Sequence, residues 1–193
     1  YQWYAQYPPA GSLAAALRDN RLPFSGLEIY IQVFKKEAEL RVFARPTGRE
    51  TAFVLLKVFP VTGSPFRYPP EGTPRMAGPK TLEGDYKVPE GCYRLTWQNR
   101  WSDFYLGYPL SYPNRPDKIR RRYWNAGSDS GGDIVLHGQT ATIGCIPVGD
   151  PAIEEIYLLL DRNWVRNRAF GQIHIFPCRF DIEENEHILQ YYA

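Results

Sequence analysis

Two residues stand at a spacing that suits acyl chemistry. His137 closes the apolar run Ile134-Val135-Leu136 and is followed by Gly138. Cys145 comes eight residues later, directly after Gly144. A strand can present the histidine at its end. The segment from Gly138 to Thr142 can then return the chain and lay the cysteine beside the imidazole. The thiolate, not the thiol, is the effective nucleophile. A neighbouring imidazole either takes the thiol proton or, once charged, stabilises the thiolate. Glycine at 144 allows unusual dihedrals and a close backbone approach. The amides of Gly144 and Cys145 can form an oxyanion hole. Thr142 supports this loop or contacts substrate. Asp133, Asp129 or a backbone carbonyl can orient the imidazole, so a third catalytic member stays open.

The elements that must position this pair read as mainly β with peripheral helices. Aromatic residues make up 15% of the 193 residues, and there are seventeen prolines. That composition favours strands and rigid loops over a helical bundle. Ser12 caps a short helix to Leu17. Leu27 to Phe34, Ala38 to Ala44 and Thr51 to Phe59 are strand-like runs at the spacing of an antiparallel meander. Lys35-Lys36-Glu37 reads as a solvated hairpin tip. Val61 to Pro79 reads as a long loop. Gly84 to Leu95 reads as an extended segment, a turn at Pro89-Glu90-Gly91 and a strand. The aromatic run Trp97, Trp101, Phe104 and Tyr105 reads as packing in a β core, with a sugar or peptide platform as the alternative. Tyr108 to Asn114 reads as loop or edge. The basic run at Lys118 to Arg122 reads as a solvated face, with carboxylate recognition as the alternative. Asn125 to Gly132 leads as a polar loop into a strand from Asp133 to Leu136. Asp150 and Pro151 open a helix whose apolar stripe is Ile153, Ile156, Tyr157, Leu160 and Trp164. It runs to about Arg168. Gln172 to Arg179 reads as a strand, and the tail from Ile182 as a short helix. The resulting division is an arm with a helix over 1–26, a catalytic domain over 27–182 and a tail over 183–193.

The stretch resembles the L,D-transpeptidase catalytic domain (YkuD-like) family. Its His-Gly and Ser/Thr-X-Gly-Cys pattern matches His137-Gly138 and Thr142-Ile143-Gly144-Cys145. The short interval is similar to the YafK-type branch. Other family members carry a longer interval and His or Arg where this chain has Ile143. Gly78-Pro79-Lys80, Glu83-Gly84-Asp85, Val88-Pro89-Glu90-Gly91, Tyr112-Pro113-Asn114 and His174-Ile175-Phe176-Pro177 extend the similarity over residues 50 to 180. The resemblance implies an L,D-transpeptidase-type β-sandwich or barrel and a peptidoglycan stem peptide as substrate. It implies Cys145 as nucleophile, His137 as acid and base, and Gly144 in the oxyanion hole. Thr142, Gly138, Tyr112, Asn114 and Arg120 are the pocket candidates. It implies no cofactor and a periplasmic or cell-envelope location. A wall-linked lipoprotein is a further candidate partner, since the YafK-like branch includes hydrolases that release one.

Other chemistries find less in the chain. A net charge of +2 does not indicate a dominant nucleic-acid role. No apolar run of about eighteen residues suits a membrane helix. Zinc on Cys145, His137 and His174 lacks a Cys-X-X-Cys or His-Glu-X-X-His spacing. The glycine loop at 127–132 lacks the Lys-Ser/Thr ending of a phosphate loop. His174 reads as structural and His187 as exposed. Three cysteines leave at least one thiol unpaired within the monomer. A Cys92–Cys178 disulfide would leave Cys145 free, and three reduced thiols are equally compatible. Two rival functions remain: a wall-binding module with a decayed site, and an unrelated cysteine hydrolase of small amides.

Overall fold

A computed structural model describes residues 9–63, 78–167 and 171–189. The expectations for the arm before residue 9, for most of the long loop after Val61, and for Arg168 and the last four residues lie outside the described residues, as do the side chains of Trp164 and His187. Helix α1 (Leu13–Asp19) opens the fold, and the Ser12 hydroxyl accepts the Ala15 amide at 3.1 Å as its cap. Strands β1 (Leu27–Phe34), β2 (Glu39–Pro46) and β3 (Val54–Pro60) form the expected meander. Their alternate residues, among them Ile29, Ile31, Val33, Leu40 and Val42, enter the core. Strand β9 (Gln172–Phe176) runs parallel to β1, and β4 (Gly91–Arg94) pairs with β9 to complete a five-stranded sheet.

A second sheet has the order β5 (Asn99–Ser102), β6 (Tyr105–Pro109), β7 (Val135–His137) and β8 (Ile146–Pro147). The two open sheets meet at a corner, where Leu95 bridges Leu110 and the Ser111 amide bonds the Arg94 carbonyl at 2.9 Å. The family-type α+β fold is therefore built from two open sheets, not from the closed barrel that was the alternative. Helix α2 (Arg115–Trp124) lies between β6 and β7, and α3 (Asp150–Asn167) follows β8. A 3₁₀ turn (Glu183–Asn185) and α4 (Glu186–Leu189) follow β9. The stripe of α3 is as expected: Ile153, Ile156 and Leu160 are fully buried. Asn163 ties that helix to the first sheet, its carbonyl oxygen accepting the Leu27 amide at 2.8 Å.

Several expectations are corrected. Lys35 is not a solvated tip residue but is completely buried. Its ammonium donates to the carbonyls of Gly78 (2.9 Å) and Val88 (3.0 Å) and to the Glu90 carboxylate (2.7 Å). All three donors of the ammonium are thus used, which is the condition under which a buried charge is tolerated. Trp97 and Trp101 are not core residues; they are 53% and 93% exposed. For Trp101 the reason is topological, because β5 is an edge strand of its sheet. The Tyr108 segment is no edge: β6 pairs on both sides, and Tyr108 is fully buried. The basic run is carried by α2, whose start was written in Asn114-Arg115-Pro116-Asp117. The Asn114 side chain and the Asp117 carboxylate cap each other's amides at 3.1 and 2.9 Å. The three cysteines are all free, with Cys92 exposed and Cys178 buried, so the Cys92–Cys178 bridge is not formed.

The Lys35–Glu90 pair generates a stability prediction. Removing one partner strands the other charge in the interior. Glu90→Ala is expected to lower unfolding free energy by about 3–5 kcal/mol in chemical denaturation. A loss within about 0.5 kcal/mol, the range of ordinary surface changes, would contradict this role.

Candidate active site

The register of two short strands brings the expected pair onto one face. In the parallel pairing of β7 and β8, Leu136 stands opposite Ile146 and His137 opposite Pro147. Cys145 therefore falls level with Val135. Alternate strand residues share a face, so His137 and Cys145 both lie opposite to Leu136 and Ile146. Those two are fully buried in the core. Asp133 and Gln139, on either side of β7, take left-handed backbone conformations with φ of 51° and 53°. Such strain concentrates at functional sites. The loop after His137 is tied down by its backbone. The Gln139 amide donates to the Asp150 carboxylate at 2.7 Å, and the Gly149 amide donates to the Gln139 carbonyl at 3.1 Å. Asp150 thus holds the loop, while the Gly149 carbonyl accepts the Ile153 amide at the start of α3.

His137 is fully buried, and its Nδ1 lies 2.5 Å from the Gly138 carbonyl oxygen. A carbonyl only accepts, so Nδ1 carries the proton and Nε2 carries the lone pair. Nε2 is buried with no hydrogen-bond partner among the described residues. A backbone carbonyl therefore fills the orienting role that Asp133 and Asp129 were alternatives for. Phe104 packs over the imidazole with ring centres 4.8 Å apart. His137 and Cys145 line one cleft of about 310 Å³. Lys80, Glu83, Phe104, Asp133 and Ile143 share its wall. The Cys145 Sγ points at the Asp133 carbonyl, 3.5 Å away.

Burial pushes the Cys145 thiol above its ordinary range. The Val135 amide and the Lys80 ammonium oppose that rise, and the Asp133 charge adds to it. Burial likewise holds the His137 imidazole below its ordinary range, against the opposing Gly138 carbonyl. Both directions favour a neutral thiol beside a neutral imidazole. Of the two roles open to the histidine, the geometry fits proton acceptor rather than standing imidazolium.

The remaining candidates take different places. Thr142 and Gly144 line the cleft. The Thr142 hydroxyl accepts the Gly144 amide at 3.1 Å and donates to the Cys145 carbonyl at 2.9 Å. The Gly144 amide is therefore engaged, whereas the Cys145 amide has no partner among the described residues. The expected pair of oxyanion donors is reduced to one in this state. Gly144 has φ of 143°, and an added Cβ would lie 3.1 Å from the Lys87 carbonyl oxygen, so its glycine is required by the backbone. Gly138 does not line the cleft: a Cβ there would lie 2.6 Å from an Asp150 carboxylate oxygen. Its small size serves packing against α3. Tyr112, Asn114 and Arg120 are also outside the cleft lining. Asn114 caps α2, and Arg120 reaches Asp117 at 3.4 Å. The buried Tyr112 hydroxyl donates to the Ser130 carbonyl at 2.9 Å, shaping the loop whose Gly131 and Gly132 border the cleft. His174 lines a separate groove and stands 3.1 Å from the Tyr30 hydroxyl, so it does not converge with Cys145 and His137.

The fold and this cleft define a class. The chain belongs to the L,D-transpeptidase catalytic domain family (YkuD), whose model matches residues 29–166. Among curated proteins it is similar to YafK of Escherichia coli strain K12, which bears an L,D-transpeptidase name on a provisional basis. The two are 24% identical over 172 residues, covering 88% of this chain and 62% of the relative. The chain thus spans under two thirds of the curated relative's length. Two solved structures share the fold. The helical cell shape determining protein Pgp2 of Campylobacter jejuni has a TM-score of 0.56 at 21% identity over 79% of this chain and 49% of that one. Bd1075 of Bdellovibrio bacteriovorus has a TM-score of 0.52 at 21% identity, covering 86% and 53%.

Two outcomes follow from the geometry. Site-resolved alkylation of Cys145 is expected to rise with pH through and beyond the ordinary thiol pKa of about 8.5. A rate already at its plateau at acid pH would mean a standing thiolate–imidazolium pair instead. Gly138→Ala is expected to cost about 1–3 kcal/mol in thermal or chemical unfolding, as an overpacked site does.

Proposed function

We propose that this chain is a cysteine-dependent enzyme of the bacterial wall that acts on peptidoglycan stem peptides through a thioester. The observation that carries this reading is the buried, unpaired Nε2 of His137 in the same cleft as the Cys145 thiol. An orphaned buried acceptor is costly. Its presence beside a nucleophile is accounted for when it takes a proton during turnover.

The steps are those the geometry allows. The Cys145 side chain turns from the Asp133 carbonyl toward Nε2, a bond that forms in the substrate complex. Nε2 takes the thiol proton as sulfur attacks the carbonyl next to a diaminopimelate centre. The carbonyl electrons move onto oxygen, where the Cys145 amide donates. The tetrahedral adduct collapses, the C–N bond breaks, and His137 returns its proton to the leaving amine. The resulting thioester is resolved by water, giving cleavage, or by an amine, giving a cross-link. The Nδ1 bond to Gly138 keeps Nε2 as the proton-carrying atom throughout.

Hydrolysis of a linkage between the wall and a lipoprotein is a second outcome of the same chemistry. A periplasmic or envelope location follows from the substrate, and the division into an arm, a catalytic body over 27–182 and a tail belongs to the same proposal. No described helix is long and apolar enough to cross a membrane.

The test is mass spectrometry of tetrapeptide and cross-linked wall fragments incubated with the chain. Loss of a terminal residue or a new cross-link is expected. Cys145→Ala and His137→Gln should each lower the rate by about 10⁴-fold or more. Turnover retained in folded Cys145→Ala would sink the nucleophile assignment, and product masses distinguish water from amine as acceptor.

A further inference from the structure

The cleft wall contains a cation that the acyl chemistry above leaves unused. Lys80 is only 5% exposed, yet it lines the cleft with Cys145. Its ammonium donates to the Leu82 carbonyl and to the Asp85 carboxylate, each at 2.8 Å. An ammonium has three donors. The third has no partner among the described residues. Asp85 holds Lys80 without joining the cleft lining. The Asp85 carboxylate is itself shared among the amides of Thr81 (2.9 Å), Leu82 (3.1 Å) and Lys87 (3.0 Å). Four donors thus divide the negative charge of Asp85, while Lys80 itself lines the cavity. Among the described residues, the other ionisable side chains of the wall besides His137 and Cys145 are Glu83 and Asp133, both acidic. A cavity with acidic walls repels anions except where a cation is set against them. Among the described residues, Lys80 is that cation in this wall. A fixed, desolvated ammonium with a spare donor is a strong single-point partner for a carboxylate oxygen.

We propose that Lys80 is the carboxylate-binding residue of this cleft. The acyl donor presents a free carboxylate to the Lys80 ammonium while its reactive carbonyl faces Cys145. This rests on the reading of Cys145 as nucleophile and adds the part of the substrate that fixes its orientation. Substrates lacking that carboxylate, as amides, lose the contact and leave a buried ammonium donor unpaired.

Two alkylating reagents of nearly equal size test this. Iodoacetate carries a carboxylate and iodoacetamide carries its neutral amide. Both consume the same thiolate, so their rate ratio at one pH cancels its ionisation. The ratio at Cys145, read by residue-resolved mass spectrometry, is compared with that of N-acetylcysteine in the same tube. The Cys145 ratio is expected to exceed the free thiol's by about tenfold, the effect of one charge-assisted hydrogen bond. Lys80→Met should bring it down to the free-thiol ratio, and Lys80→Arg should retain most of it. A ratio in the unaltered chain at or below the free thiol's would overturn the proposal, as would an unchanged ratio in folded Lys80→Met. If Lys80→Met does not fold, protection decides in the unaltered chain. N-acetylalanine should slow iodoacetamide at Cys145 and its amide should not; equal protection by the two would overturn the assignment. Turnover of wall fragments with no anionic preference removes this subsite and leaves the enzyme reading. Anionic preference with no turnover supports the subsite and removes that reading.

Discussion

A single buried ammonium holds one wall of the cleft in place. Lys35 leaves the first sheet at the end of β1 and uses all three donors on the segment that runs from Gly78 to Glu90. That segment has no strand partners of its own before β4. It carries Lys80, Glu83 and Asp85, and so supplies one wall of the cavity. Taking a lysine and a glutamate out of water is unfavourable, and the full set of acceptors is what offsets it. An apolar contact would bury the segment as well, but it would not fix its register. Three directed bonds from one nitrogen do. The position of Lys80 relative to Cys145 therefore depends on a residue that touches neither.

The opposite wall depends on strand register in the same way. Two short strands, β7 and β8, decide which side chains face the cavity. A slip of one residue would send His137 and Cys145 into the core and bring Leu136 and Ile146 out. The slip is opposed because Leu136 and Ile146 are fully buried and would be brought out, and because the Gln139 amide is pinned to Asp150 at the start of α3. Packing on one face thus sets chemistry on the other. The neutral state of the pair follows from the same burial.

Much of this was legible in the chain. The meander, the first helix and the α3 stripe follow from periodicity and capping, and the pairing of His137 with Cys145 in one cleft was expected chiefly from the family resemblance. What failed to show was whatever depends on distant partners. Lys35 sits in a Lys-Lys-Glu run that reads as a surface turn, and only Glu90, fifty-five positions away, makes it a core residue. Trp101 reads as core by composition, and only the strand order reveals an edge. Tyr112, Asn114 and Arg120 are near the cleft in sequence motif but work around Asp117 and Ser130 instead. Asn114 did carry a local signal, since an Asn three residues before an Asp with an intervening proline is a helix start. Lys80 stood inside the Gly-Pro-Lys motif, but spacing alone says nothing about a side chain's burial or its spare donor.

Burial that raises the Cys145 thiol pKa has a bearing on the protein's durability. Peroxides and disulfides react with thiolates, and a sulfur that stays protonated offers them little. Burial of the thiol and the absence of a standing imidazolium thus act together as chemical protection. A thiol pKa raised by burial lowers the share of thiolate open to oxidants, an effect set by the walls of the cleft rather than by the cysteine itself.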